Sequence, residues 1–503
     1  MPPDPVALLR RHLGYPGFRP GQEELVRAVL EGKDALGVLP TGGGKSVCYQ
    51  IPALALGGLT LVVTPLVSLM EDQVARARAA GLRAAYLSAQ QPVGRKREIL
   101  AGARSGTLDI VFVAPERLEL EAFRAVVAAS DVRLLAIDEA HCISEWGHDF
   151  RPSYRRIGGV RDVLRCPTLA LTATATPSVR EDIVATLHLV DAFSVVRSFD
   201  RPNLSWSVLP GGSGRQRASA TYRILRRQPG CAVVYAPTRR AVDRIRDALA
   251  GRGLVAEAYH AGLAAEERSR VQTSFMEGRC RVVVATNAFG MGIDKADVRT
   301  VIHIHLPGTL ESYYQEAGRA GRDGDPASCI AFYAQGDRRL STAFVDRTHP
   351  PPRRLRRVHR TLRRLADRDG VVARDALTHP RLATLFREWA AGAGTGALAA
   401  LERVGTLRPI VSGGAGSGER GPDSVESGGT GTPTGGSQTT AFGVRRRLDL
   451  ASAGRLRGRA LEKVDAVQRY ARDRECRRKA LLGYFGEAAP SRCGKCDLCT
   501  SHS

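Results

Sequence analysis

The sequence predicts an α/β protein: two tandem doubly wound parallel-sheet domains, then a helical region that ends in a cysteine cluster. Three observations carry this. Short, continuous apolar runs (Leu59–Val63, Ile110–Val113, Leu134–Ile137, Leu169–Leu171) alternate with helical patterns, as parallel strands buried on both faces do. The alternation restarts after Arg201-Pro202-Asn203 with Ala232–Tyr235, Val282–Ala285 and Val301–Ile304, which gives one domain over 1–200 and another over 201–340. From about residue 341 the composition changes.

Residues 353–368 carry eight arginines, with Leu355, Val358, Leu362 and Leu365 recurring between them at helical spacing. That pattern predicts one helix with an apolar stripe and a basic flank. The flank reads equally as a solvated face or as a face that tracks phosphates. With the short helical patterns up to about Ile410 it forms a basic helical or winged-like insert over 341–410. Residues 411–440 are almost all Gly, Ser, Thr, Pro and acidic. Too little apolar surface is present there to offset chain entropy, so a flexible linker is expected over 411–445. A helical pattern resumes over 446–503 and leads into Cys476, Cys493, Cys496 and Cys499.

The net charge of +23 over 503 residues favours a polyanion such as nucleic acid over a small acidic substrate, because counterion release rewards binding to a charged polymer. No apolar run approaches the length of a membrane span, and Met1-Pro2-Pro3-Asp4-Pro5 does not open a secretory signal. A cytoplasmic, nucleoid-associated protein with no membrane partner is expected, with its thiols reduced. Six of the ten cysteines are scattered through apolar segments and read as small core residues.

Gly37-Val38-Leu39 runs directly into Pro40-Thr41-Gly42-Gly43-Gly44-Lys45-Ser46. Glycines let backbone N–H groups close around phosphate oxygens at a helix N-terminus. Thr41, Gly42, Gly43 and Gly44 would cradle the phosphates of ATP, Lys45 would reach the β- and γ-phosphates, and Ser46 would hold Mg²⁺. The strict pattern places glycine where Leu39 stands, and Gly43-Gly44 alone would also suit a turn. A second element narrows the choice. The strand-like run Leu134–Ile137 ends in Asp138-Glu139-Ala140-His141, at the strand end where α/β folds bind ligands. Asp138 would hold Mg²⁺ and Glu139 would polarise the attacking water; His141 joins them as a candidate catalytic residue. In the second domain, Gln315 to Gly324 contains Arg319 and Arg322 three apart among glycines, able to point across a cleft at a transferred phosphoryl group.

These segments, in this order, resemble the RecQ family of superfamily 2 DNA helicases over about residues 8–335 and again over 470–500. The resemblance implies RecA-like folds for both α/β domains and an adenine-recognising segment at Leu13–Gln22. There Gln22 would bond the base edge, and Tyr15 and Arg19 would stack on it. It extends through Thr64–Met70, Val113–Leu118, Thr172–Ala175, Tyr259–Leu263 and Ala285–Lys295. Cys142–Pro152 resembles the family's aromatic-rich loop, in which Trp146, His148, Phe150 and Arg151 would contact single-stranded DNA by stacking and phosphate contact. Cys476, Cys493, Cys496 and Cys499 match the family's zinc-binding subdomain, and four thiolates suit a closed, structural Zn²⁺ site.

A short form is expected, without the winged-helix and terminal helical domains that follow the zinc site in many members. The activity implied is an ATP-dependent DNA helicase that moves 3′ to 5′ and unwinds tailed or forked duplexes in recombination and repair. A single-strand-binding protein is a plausible partner. Two other readings stay open: an RNA helicase, since Asp-Glu-Ala-His occurs in RNA motors, and a nucleic-acid-dependent ATPase that clamps or remodels without unwinding.

Overall fold

The computed structural model describes residues 3–40, 42–65, 67–88, 91–145, 147, 149–151, 153–290, 295–387, 393–411 and 439–500. The chain divides into two compact units. The first comprises residues 1–87, 93–341 and 463–503, and the second comprises 88–92 and 342–462.

Two all-parallel sheets build the first unit. Strands β1 (Ala35–Val38), β2 (Leu59–Val63), β3 (Ala84–Leu87), β4 (Ile110–Val113), β5 (Val132–Ile137), β6 (Thr168–Thr172) and β7 (Phe193–Val196) are ordered β3-β4-β2-β5-β6-β1-β7. Strands β8 (Leu204–Pro210), β9 (Cys231–Tyr235), β10 (Glu257–Tyr259), β11 (Val282–Ala285), β12 (Val298–His303) and β13 (Ala327–Tyr333) are ordered β10-β11-β9-β12-β13-β8. Every residue of β2, β4 and β11 is buried, because helices cover both faces of each sheet. The strand-like runs of the sequence lie in strands, except that Val301–Ile304 runs one residue past the end of β12 at His303. The edge strand β7 was not legible: three of its four residues are exposed.

The connection between the sheets, Arg197 to Asn203, is covered by the C-terminal segment. Glu487 accepts from Ser198 Oγ at 2.5 Å and from the backbone N–H of Phe199 at 2.7 Å. Arg478 pairs with Asp200, Lys495 Nζ donates to the carbonyl of Pro202 at 2.9 Å, and Phe199 stacks on Phe485 with ring centroids 4.4 Å apart.

The second unit has a winged-like order of elements. Helix Pro352–Leu365 is followed by β14 (Val371–Ala373), helices Pro380–Arg387 and Ala393–Arg403, and strands β15 (Leu407–Val411) and β16 (Thr439–Val444). These strands form an antiparallel sheet in the order β14-β16-β15. One expected boundary, that of the linker, shifts. Val411 and the run Thr439–Val444, read as linker, are strand residues, since pairing with β15 and β14 orders a stretch too poor in apolar residues to signal it. The division between the compact units falls at Lys463, inside helix Leu450–Arg472. Most of the expected linker, 412–438, lies outside the described residues. No described helix is long and apolar enough to cross a membrane.

Candidate active site

The ends of β1 and β5 bring the first two motifs together. Beyond β1, Gly42 to Ser46 lead into helix Val47–Leu56 with Ser46 at its N-cap. Gly44 sits at φ +69°, a conformation glycine adopts without steric cost. After β5, Glu139 itself takes φ +50°, a conformation that costs a non-glycine residue roughly 1–2 kcal/mol and persists where the surroundings enforce it. Here the backbone N–H of Asp138 continues the ladder to Val63 O at 2.8 Å, and Tyr154 Oη donates to Asp138 O at 3.1 Å.

Lys45 Nζ lies 3.3 Å from Glu139 Oε1. The other carboxylate oxygen of Glu139 is 3.2 Å from His141 Nδ1, and that nitrogen is 2.9 Å from Thr172 Oγ1 at the end of β6. Burial alone would raise the pKa of Glu139, but the Lys45 ammonium and His141 hold it well below the usual carboxylate range. Burial and the adjacent Glu139 charge push Asp138 up to about 6. Two neighbouring carboxylates are thus held unlike one another, the arrangement by which a site assigns different roles to chemically similar groups. Gln73 Nε2 is 3.5 Å from Asp138 Oδ2, a contact that the sequence did not reveal.

From the second sheet, the segment after helix Leu310–Ala317 carries the arginines. Arg319 is buried and donates to the carbonyl of Gly290. Arg322 reaches the phosphate loop: a Cβ placed on Gly42 would lie 3.5 Å from Arg322 Cδ. Tyr15, Arg19, Gln22, Lys45, Asp138 and Arg322 all line one cleft of about 720 Å³, together with Gly42, Gly44, Ser46, Glu139 and Arg319.

Gln22 has a role that its motif does not announce. It is buried, accepts from the N–H of Arg19 at 2.9 Å, and donates to the carbonyls of Gly43 and Gly44 at 2.9 and 3.0 Å. Arg19 donates to Gly42 O. Both residues therefore hold the loop as well as facing the cleft. Tyr15 is half exposed at its rim.

In the aromatic-rich segment, Phe150 is half-buried. Arg151 is engaged with Asp149 at 3.0 Å and with Pro65 O at 3.0 Å, so the loop's own geometry uses the guanidinium expected at DNA phosphates. Trp146, His148 and Thr41 lie outside the described residues.

Sequence reasoning passed over Arg201 and Asn203, which entered it only as a domain boundary. Arg201 donates to the carbonyls of Gly318 at 3.0 Å, Ala320 at 2.9 Å and Gly321 at 2.8 Å. Asn203 Nδ2 donates to Gly321 O and Asp325 O, both at 2.8 Å. The segment that carries Arg319 and Arg322 is therefore held by the connection between the sheets. A charged residue in a short interdomain connection was the available signal.

The four clustered cysteines converge. Their Sγ atoms all lie within 4.8 Å of one another, with Cys493 to Cys499 at 4.0 Å and Cys476 to Cys496 at 3.9 Å. Four ligands at a Zn–S distance of about 2.3 Å sit roughly 3.8 Å apart at the corners of a tetrahedron, so the set fits Zn²⁺ with no open position. Of the scattered cysteines, Cys48, Cys142, Cys280 and Cys329 are buried, while Cys166 and Cys231 are only partly so.

Comparison with known proteins agrees with this geometry. The DEAD/DEAH box helicase family matches residues 19–183, the helicase conserved C-terminal domain matches 216–324, and the RecQ zinc-binding family matches 443–500. The ATP-dependent DNA helicase RecQ of Pasteurella multocida is 43% identical over 350 residues, 69% of this chain and 55% of that protein. The probable ATP-dependent DNA helicase RecS of Bacillus subtilis is 38% identical over 372 residues, 73% of this chain and 75% of that protein. The chain spans 55–58% of the length of the RecQ relatives it matches. Among solved structures, the helicase Lhr of Mycobacterium smegmatis aligns with a TM-score of 0.54 at 21% identity, covering 92% of this chain and 62% of that one. Dbp5 of Saccharomyces cerevisiae aligns with a TM-score of 0.54 at 15% identity, covering 68% and 90%. These two likenesses concern the fold. The paired parallel sheets, the motifs that meet in their cleft and the four converging thiols agree with the sequence relatives, and the chain belongs to the RecQ family of ATP-dependent DNA helicases.

Proposed function

We propose that the chain is an ATP-driven DNA helicase that translocates 3′ to 5′ on a single strand and unwinds tailed or forked duplexes. The observation that carries this reading is Arg322 of the second sheet lying against Gly42 of the phosphate loop, in the cleft that holds Lys45 and Glu139.

The chemistry follows from those groups. A triphosphate in the loop competes with Glu139 for Lys45. Once Lys45 turns to the phosphates, Glu139 loses its principal counter-charge and becomes a better acceptor for a proton of the attacking water, while His141 keeps it oriented. Ser46 and Asp138 would hold Mg²⁺, which would supply charge neutralisation at the phosphates. Arg319 and Arg322 stabilise charge on the transferred group, a contribution of about 10³–10⁵ in rate for arginines so placed. Because the two sets of groups sit on different sheets, nucleotide binding closes the cleft and product release reopens it. A strand lying across both sheets is thereby moved.

Recombination and repair, a cytoplasmic, nucleoid-associated setting and contact with a single-strand-binding protein complete the proposal, on the strength of the family. The test is strand displacement on duplexes with 3′ or 5′ tails, in DNA and in RNA, with Lys45→Ala as control. ATP-dependent unwinding confined to 3′-tailed DNA is expected. Unwinding of RNA alone, or ATP hydrolysis without displacement of any duplex, overturns the reading.

A further inference from the structure

Helix Pro352–Leu365 of the second unit separates its two faces completely. Leu355, Val358 and Leu362 are buried in the unit's core with Val372, Leu382 and Leu401. Arg353, Arg356, Arg360, Arg363 and Arg364 are exposed. At 100° per residue these five fall within an arc of about 100°, along roughly 17 Å of helix. The helix has no acidic residue and no Phe, Tyr or Trp. A second basic run lies beside it. His359, on the flank of the arginine face, has Nε2 2.9 Å from the carbonyl oxygen of Arg445, and Arg445, Arg446 and Arg447 are all exposed.

We propose that this arginine face docks the sugar-phosphate backbone of double-stranded DNA, without reading its sequence and in addition to the single strand on which the motor works. The proposal rests on the helicase reading for the choice of DNA as the polyanion. Three features select duplex. A duplex carries one charge per about 1.7 Å of axis, about ten over the length of this stripe, which a dense row of guanidiniums matches. Guanidiniums favour phosphate oxygens because their fork of donors fits them. Single strands are held largely by aromatic stacking, and the helix offers no Phe, Tyr or Trp, while its one histidine, His359, is buried. An anionic membrane surface is the weaker fit, since surface helices insert an apolar face and here that face is packed in the core.

The experiment uses the full chain with Arg353, Arg356, Arg360, Arg363 and Arg364 all changed to Gln, a residue that keeps helix propensity. A second variant carries Lys at the same five positions. Affinity for a blunt duplex is measured by fluorescence anisotropy over a range of salt, alongside oligo-dT-stimulated ATP hydrolysis and sedimentation with phosphatidylserine vesicles. The Gln variant is expected to lose at least about tenfold in duplex affinity near 100 mM salt. Its log–log salt dependence should become shallower by about 3–5, with dT-stimulated hydrolysis within twofold of the unsubstituted chain. The Lys variant should retain most of the affinity. Unchanged duplex affinity in the Gln variant overturns the proposal, as does an equal loss in the Lys variant. Loss of vesicle capture with duplex binding intact assigns the face to membranes and also overturns it. Absence of dT-stimulated hydrolysis in the unsubstituted chain would count against the helicase reading instead, so the two failures are distinguishable.

Discussion

Arg201 Nη2 donates to the carbonyl oxygen of Gly321 at 2.8 Å, one residue before Arg322. The same guanidinium takes the carbonyls of Gly318 and Ala320 on either side of Arg319. One side chain in the connection between the sheets therefore sets the backbone from which both cleft arginines project.

Arg201→Ala should lower kcat for DNA-stimulated ATP hydrolysis about 10- to 100-fold while KM for ATP changes by less than about threefold. The carbonyls lose their shared donor and Arg319 and Arg322 drift, which weakens transition-state stabilisation more than ground-state binding. Arg201→Lys presents one ammonium in place of a fork and should restore only part of kcat. Steady-state kinetics check this split. A general folding defect would instead lower the melting temperature and leave the two variants alike.

The zinc segment acts on the same connection. Arg478 and Glu487 anchor residues 198–200, so their positions depend on the fold that Cys476, Cys493, Cys496 and Cys499 close. Cys493→Ser should reduce bound zinc from one ion per chain to a small fraction. It should also open the 476–499 stretch to proteolysis, because ordering of such a site is coupled to metal binding. Atomic absorption and limited trypsinolysis read both outcomes. Full zinc content in the variant would remove Cys493 from the ligand set.

Some of this architecture was legible in the sequence and some was not, for identifiable reasons. Strands β2, β4, β5, β9 and β11 announce themselves because burial on both faces leaves a continuous apolar run. Strand β8 does not. Only Leu204 and Trp206 of its residues are buried, and it ends on the exposed Pro210, as an edge position permits. Strand β16 is hidden for a different reason. Its partners, Val371–Ala373 and Leu407–Val411, lie far off in sequence, and its own residues continue a Gly/Ser/Thr-rich stretch. In the site, Lys45, Asp138, Glu139 and the cysteines are legible because their chemistry is specific to the residue type. Gln22 and Arg201 act on backbone carbonyls, which every residue possesses, so no sequence pattern marks the partner.

The phosphate loop makes a sharper demand than its glycine content suggests. A Cβ on Gly44 would lie 2.5 Å from Gln22 Nε2, and its φ of +69° is costly for alanine. Gly44→Ala should therefore raise KM for ATP about tenfold or more, as Gln22 is driven from the carbonyls it holds. In Gln22→Ala/Gly44→Ala the clash is gone, so the two effects should fall short of additive. A double-mutant cycle on KM measures the coupling, and strict additivity would show that Gln22 and Gly44 do not meet.

His349, in the second unit, should make that unit sensitive to acid. Its Nε2 is 3.0 Å from Arg403 Nη1, and its Nδ1 is 3.0 Å from Thr348 Oγ1. Burial, then the charges of Arg403 and Arg457, push its pKa down to about 4. The unfolded value is near 6.5, so between these values the unfolded chain binds the extra proton. The stability that neutral His349 contributes is present in full above pH 6.5 and is lost as pH falls towards 4. The loss amounts to about 2 kcal/mol between pH 7.5 and 5. His349→Gln keeps an acceptor for Arg403 but does not titrate. Urea unfolding of both proteins at the two pH values should show the gap between them narrowing or reversing in acid. An identical pH dependence in the variant would mean that His349 is already exposed to protons in the folded chain.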